Sequence, residues 1–172
     1  LHEVGHTLGL RHNFKASSIY TVEQLSDPSF TKKHGITGSV MDYNASNLLD
    51  GGYTFFQTKP GPYDYWAIEY AYSELPFRSE LSEAEFLNNI ASKSTNPNLA
   101  YSTDEDTFGS STRSIDPYSS SRDLSSDAIK FYTKQLGLVQ GFWDDLLLKH
   151  ENEGDRYPRI RSIFSQGLWE YF

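Results

Sequence analysis

Within the opening residues LHEVGHTLGLRH, the chain sets His2, Glu3, His6, Gly9 and His12 in the order His-Glu-x-x-His-x-x-Gly-x-x-His. This spacing predicts a zinc site with a general base beside it. His2 and His6 are four apart, so on a helix they share one face and two imidazole nitrogens can meet one ion. Glu3 sits about 100° further round, where its carboxylate is not a ligand but can hold and deprotonate a water. Gly9 has no Cβ, so it takes a positive φ at little cost, ends the helix and lets the chain return His12 as a third ligand. Three neutral imidazoles leave the fourth tetrahedral position to water, which separates a catalytic zinc site from a closed structural one. A single histidine on an apolar face is usually a satisfied core residue; three in this register, with a glutamate and a glycine, favour the metal. The competing reading is a degenerate site that binds zinc without catalysis, and Glu3 argues against it.

The elements that must position these groups come next. Ser39 to Asn44 reads SVMDYN and contains Met41, the chain's only methionine. A lone methionine is ordinarily a core gap-filler. Tyr43, two residues on, offers a hydroxyl as a transition-state donor, against the plainer reading of a tyrosine packed at a turn. Gly61 to Tyr72, GPYDYWAIEYAY, reads as a turn feeding a helix, with Pro62 at its start, Asp64 in its first turn and Trp66, Ile68, Tyr70 and Tyr72 as apolar surface.

HEVGHTLGLRHN followed by SVMDYN resembles a metzincin zinc metallopeptidase, and GPYDYWAIEYAY is similar to the segment after the Met-turn in a group of large bacterial zinc-dependent metalloproteases. The resemblance is specific from Leu1 to about Tyr72 and looser beyond. It implies His2, His6 and His12 as zinc ligands, Glu3 as base, Met41 as the Met-turn residue and Tyr43 as a group near the zinc or oxyanion. It also implies that the Asp64 helix closes the C-terminal half of the catalytic domain, with Asp64 tying it to the floor; the plainer alternative is an ordinary helix cap. Asn13 stands where several metzincin families have an acidic or small residue. The substrate-binding sheet of such a fold is expected to precede Leu1. Since the chain begins one residue before its first ligand, the reading expects a longer parent to carry the activity and this fragment alone to be inactive.

The remainder is less chemical. Residues 13–38 read as a polar connector with turn signals at Asp27-Pro28, Gly35 and Gly38, and His34 within it as a surface residue. Ser82-Glu83-Ala84-Glu85 is a capping box that starts a helix running to about Lys93. Residues 96–123 are rich in Ser, Thr, Asp, Pro and Gly and read as a long loop. In it Asp104, Glu105, Asp106 and Asp116 are weighed as calcium ligands against simple solvated carboxylates. Apolar residues every three or four positions from Ile129 to Leu147 predict one amphipathic helix from Ser126 to about Lys149, and Ile160, Ile163, Phe164, Leu168 and Tyr171 predict another.

A length of 172 residues allows one domain or part of a larger one. A net charge of −8 disfavours a nucleic-acid surface. No run is apolar enough for a transmembrane segment, and the absence of cysteine excludes disulfides. The expected fold is mainly α: a C-terminal part of a metzincin-like catalytic domain over 1–75, then a helical extension over 76–172 with a long loop at about 94–123. The expected function is zinc-dependent endopeptidase action on a peptide or protein substrate, in a secreted or periplasmic setting by resemblance. An inactive zinc-binding pseudo-protease and a helical protein-interaction module are the alternatives.

Overall fold

Apolar residues in the region read as a connector form the centre of the core: Phe14, Ala16, Val22, Leu25 and Ile36 are fully buried, together with Met41 and Leu124. The structure is a computed structural model that describes residues 1–76, 81–111, 113 and 115–169. Among these the chain is helical with no strand, in agreement with the mainly α expectation. Cα proximity divides it into two compact units, Leu1–Ala128 and Ile129–Phe172. Residues 76–128, read from sequence with the helical extension, therefore share a unit with the histidines.

In the first unit α1 spans His2–Thr7 and carries the first two histidines. Its end is a Schellman turn: Gly9 takes φ +86, its N–H donates to the His6 carbonyl, and the Leu10 N–H donates to the Gly5 carbonyl. Two further helices, α2 (Val22–Leu25) and α3 (Pro28–His34), occupy the supposed connector. Asp27-Pro28 is thus a helix start rather than a turn. Asp27 accepts from the Ser29 N–H while Pro28 takes N1, and the same two residue types serve both purposes. His34 ends α3, exposed, with its ring stacked on Phe30.

Helix α4 (Pro62–Tyr72) begins as expected after Gly61, and Tyr63 and Asp64 are its buried residues. Tyr70 and Tyr72 are exposed, so only part of the predicted apolar surface is covered. A Cβ on Gly61 would collide with the Gly38 carbonyl, so only glycine allows α4 to start this close to residues 38–39. Helix α5 (Glu83–Ala91) has the predicted capping box between Ser82 and Glu85. The Trp66 indole N–H donates to the Ile90 carbonyl and joins α4 to α5. The long loop contains a 3-10 turn at Pro97–Leu99 and the short α6 (Asp104–Thr107).

The second unit holds α7 (Ala128–Asp144), α8 (Leu146–His150) and α9 (Tyr157–Leu168). The helix expected to run unbroken to about Lys149 is interrupted at Asp145, where Asp144 and Asp145, poor helix formers, stand together. Trp143 stacks on Phe164, pairing α7 with α9. Tyr171 lies outside the described residues. Among the described residues no helix is long and apolar enough to cross a membrane.

Candidate metal centre

The three histidines of the motif converge. Among the described residues they are the one group of three whose ligand atoms all lie within 4.8 Å of one another. Helix α1 stacks His2 above His6, and the Gly9 turn brings His12 to face both, with ring centroids 4.7 to 5.4 Å apart.

Each ring is held by its Nδ1. His2 Nδ1 donates to the Val40 carbonyl at 2.7 Å, His6 Nδ1 to the Leu10 carbonyl at 2.9 Å, and His12 Nδ1 to the Asp104 carboxylate at 2.8 Å. Carbonyls and carboxylates only accept, so the proton of each neutral imidazole sits on Nδ1 and Nε2 presents a lone pair. His2 Nε2 and His6 Nε2 then face each other at 3.1 Å with no hydrogen between them. His12 Nε2 is buried and has no partner among protein atoms. Such an arrangement is repulsive until a cation accepts the lone pairs. The 3.1 Å separation is near the ~3.3 Å edge of a tetrahedron built from Zn–N bonds of about 2.0–2.1 Å. The residues present fit zinc.

The floor is built by residues 39–43. Met41 is fully buried under α1, close enough that a Cβ on Gly5 would run into its Sδ. The Asn13 N–H donates to the Met41 carbonyl at 3.0 Å, so the floor also grips the chain just after His12. Asp64, on α4, accepts from the Ser39 hydroxyl at 2.5 Å, the Val40 N–H at 2.8 Å and the Gly61 N–H at 2.7 Å. One carboxylate therefore fastens α4 to the segment whose Val40 carbonyl holds His2. Asp64 thus bonds both the Gly61 N–H at the start of α4 and the segment at Ser39 and Val40.

Tyr43 stacks on His2 at 5.0 Å and lies 4.6 Å from the His12 ring, with 47% of its surface exposed. Glu3 is exposed on α1 and, with His2, Val40, Tyr43 and Phe56, lines an open groove of about 710 Å³. Beside Tyr43, Asp42 is buried and accepts from the Ser17 N–H, whose hydroxyl in turn donates to Asp123. Burial and the charge of Asp123 push the Asp42 carboxyl up to about 8.

The acidic residues weighed for calcium do not gather around an ion. Asp104 bonds His12, Glu105 pairs with Arg11, Asp106 accepts from the Thr103 N–H and the Ser102 hydroxyl, and Asp116 pairs with Lys15. Sequence spacing did not reveal that Asp104 touches a ligand ring 92 residues away, nor that Val40 and Leu10 hold the other two through their backbones. The only signal was the acidic run 104–106 itself.

A family model described as Met-zincin matches residues 1–172, the whole chain. Neither the curated proteins nor the solved structures contain a match.

Proposed function

The chain belongs to the Met-zincin family, and from that premise we propose that it forms the zinc-holding part of a metalloendopeptidase that hydrolyses peptide bonds. The observation that carries the proposal is the cluster of three imidazoles whose ligand atoms lie within 4.8 Å of one another, each ring fixed by an acceptor on its Nδ1. His2, His6 and His12 would hold the ion, which supplies Lewis acidity to a carbonyl and to water. Glu3, on the groove wall one residue from His2, takes the proton of the attacking water and returns it to the leaving amine. Tyr43, against two of the ligand rings, donates its hydroxyl to the developing oxyanion. Met41 and Asp64 keep the floor and the His2 acceptor in place, so the rings need not reorganise during the reaction.

The open groove beside Glu3 suits an extended peptide substrate, and the setting is proposed to be secreted or periplasmic. The test is metal analysis of the intact protein, with any residues that precede Leu1, alongside cleavage of a mixed peptide pool. One zinc per chain, with cleavage abolished by a chelator and restored by zinc, is the expected result. Zinc without cleavage would identify a pseudo-protease instead, and chelator-resistant cleavage would refute the mechanism.

A further inference from the structure

Two of the three ligand rings are held by backbone carbonyls: His6 by its own turn through Leu10, and His2 by the floor through Val40. His12 is different, because its partner comes from the long loop, 92 residues on. Residues 100–105 run alongside residues 11–14 as a strap with a bond at almost every step. The Asn13 amide donates to the Ala100 carbonyl at 3.0 Å, and its side-chain oxygen accepts from the Ser102 N–H at 3.2 Å. The Phe14 N–H donates to the Ser102 carbonyl at 2.8 Å. Arg11 forms a two-pronged pair with Glu105 at 2.7 and 2.9 Å. At the centre of these contacts Asp104 Oδ1 accepts a hydrogen bond from the His12 Nδ1–H, while Thr103 donates its hydroxyl to the other oxygen, Oδ2.

We propose that Asp104 is the positioning residue of the third ligand: its carboxylate fixes His12 in the Nδ1–H tautomer and aims Nε2 at the metal. The proposal rests on the zinc reading above and extends it to a residue outside the motif. The physical case has two parts. A carboxylate on the far nitrogen of an imidazole raises its basicity and sets its orientation, and a neutral histidine has no other reason to keep its proton on Nδ1 here. His12 Nε2 is also the buried nitrogen without a protein partner, so the bond to Asp104 leaves free the one atom a metal needs. Asn13, which departs from the usual metzincin residue, also has a role in this picture: its side chain docks the strap.

The experiment compares the intact protein with Asp104→Ala, the near-isosteric Asp104→Asn and a Glu105→Gln control that alters the same strap away from the ligand ring. Zinc affinity is read by competition with a chromophoric chelator. Asp104→Ala should weaken zinc by about 10–100-fold, Asp104→Asn by less, and Glu105→Gln should leave it close to the parent. The second readout needs no metal: long-range nitrogen–proton NMR of metal-free protein should show His12 as the Nδ1–H tautomer in the parent and shifted toward Nε2–H in Asp104→Ala. Parent-like zinc affinity together with an unchanged tautomer in Asp104→Ala would overturn the proposal. A parent that binds no zinc refutes the proposed function instead, and the tautomer measurement still decides the role of Asp104. Asp104→Asn keeps the test open if the alanine variant does not fold.

Discussion

Each imidazole of the His2, His6 and His12 cluster spends its Nδ1 on a protein acceptor. At this scale the histidine pattern was legible because helical spacing and a glycine exit are local rules. Asp104 was not, because its meaning depends on a contact across 92 residues, and an aspartate in a polar loop looks like any solvated one. The pairing of buried Asp42 with half-buried Asp123 was equally hidden. In the folded protein burial and then the charge of Asp123 push the Asp42 carboxyl up to about 8, whereas in the unfolded chain it ionises near its ordinary value of 3.8. The folded state thus retains a proton that the unfolded state has lost, and stability falls as pH rises from about 4 to about 8. Asp42→Asn is expected to flatten that fall and to raise stability at pH 8 by about 1–3 kcal/mol, read from thermal or denaturant unfolding across pH. A variant with the parent's slope would show that the pair is not the source.

Helix α1, His2–Thr7, rests on neighbouring segments of the chain. Two side chains contribute to that support: Met41 beneath Gly5, and, indirectly, Asp64 through Ser39, Gly61 and the Val40 segment whose carbonyl holds His2. Gly5→Ala should drive a Cβ into Met41 and cost about 1–3 kcal/mol, with weaker zinc binding because α1 is lifted from its floor. Asp64→Ala leaves three donors without their acceptor and should cost about 2–4 kcal/mol; denaturant midpoints measure both. A cost near zero at Asp64 would mean that water replaces it. The capping box at Ser82 and the start of α4 were legible, since they depend on residues three or four apart. Helices α2 and α3 were missed because Asp-Pro and Thr-x-x-Gln serve turns and caps alike, and the break at Asp145 because periodicity continues across it.

Every group that holds a ligand ring lies in the unit Leu1–Ala128. Sequence alone placed the division near residue 75 because composition changes there, whereas the strap that reaches back to His12 lies between residues 100 and 105. Two truncations separate the possibilities. Removing residues 129–172 should leave zinc stoichiometry unchanged, while removing residues 82–172 also takes Asp104 and should weaken zinc by at least the 10–100-fold expected of Asp104→Ala. Equal zinc binding by both would deny the strap its role. A protein whose biology lay in a helical interaction module would lose partner binding, not zinc, on the shorter deletion. The account as a whole depends on Glu3, the motif's only carboxylate and not one of its ligands. The decisive measurement is peptide cleavage by Glu3→Gln against the parent at matched zinc occupancy. A fall of about 100-fold or more with zinc retained is the predicted result, and undiminished cleavage would contradict it.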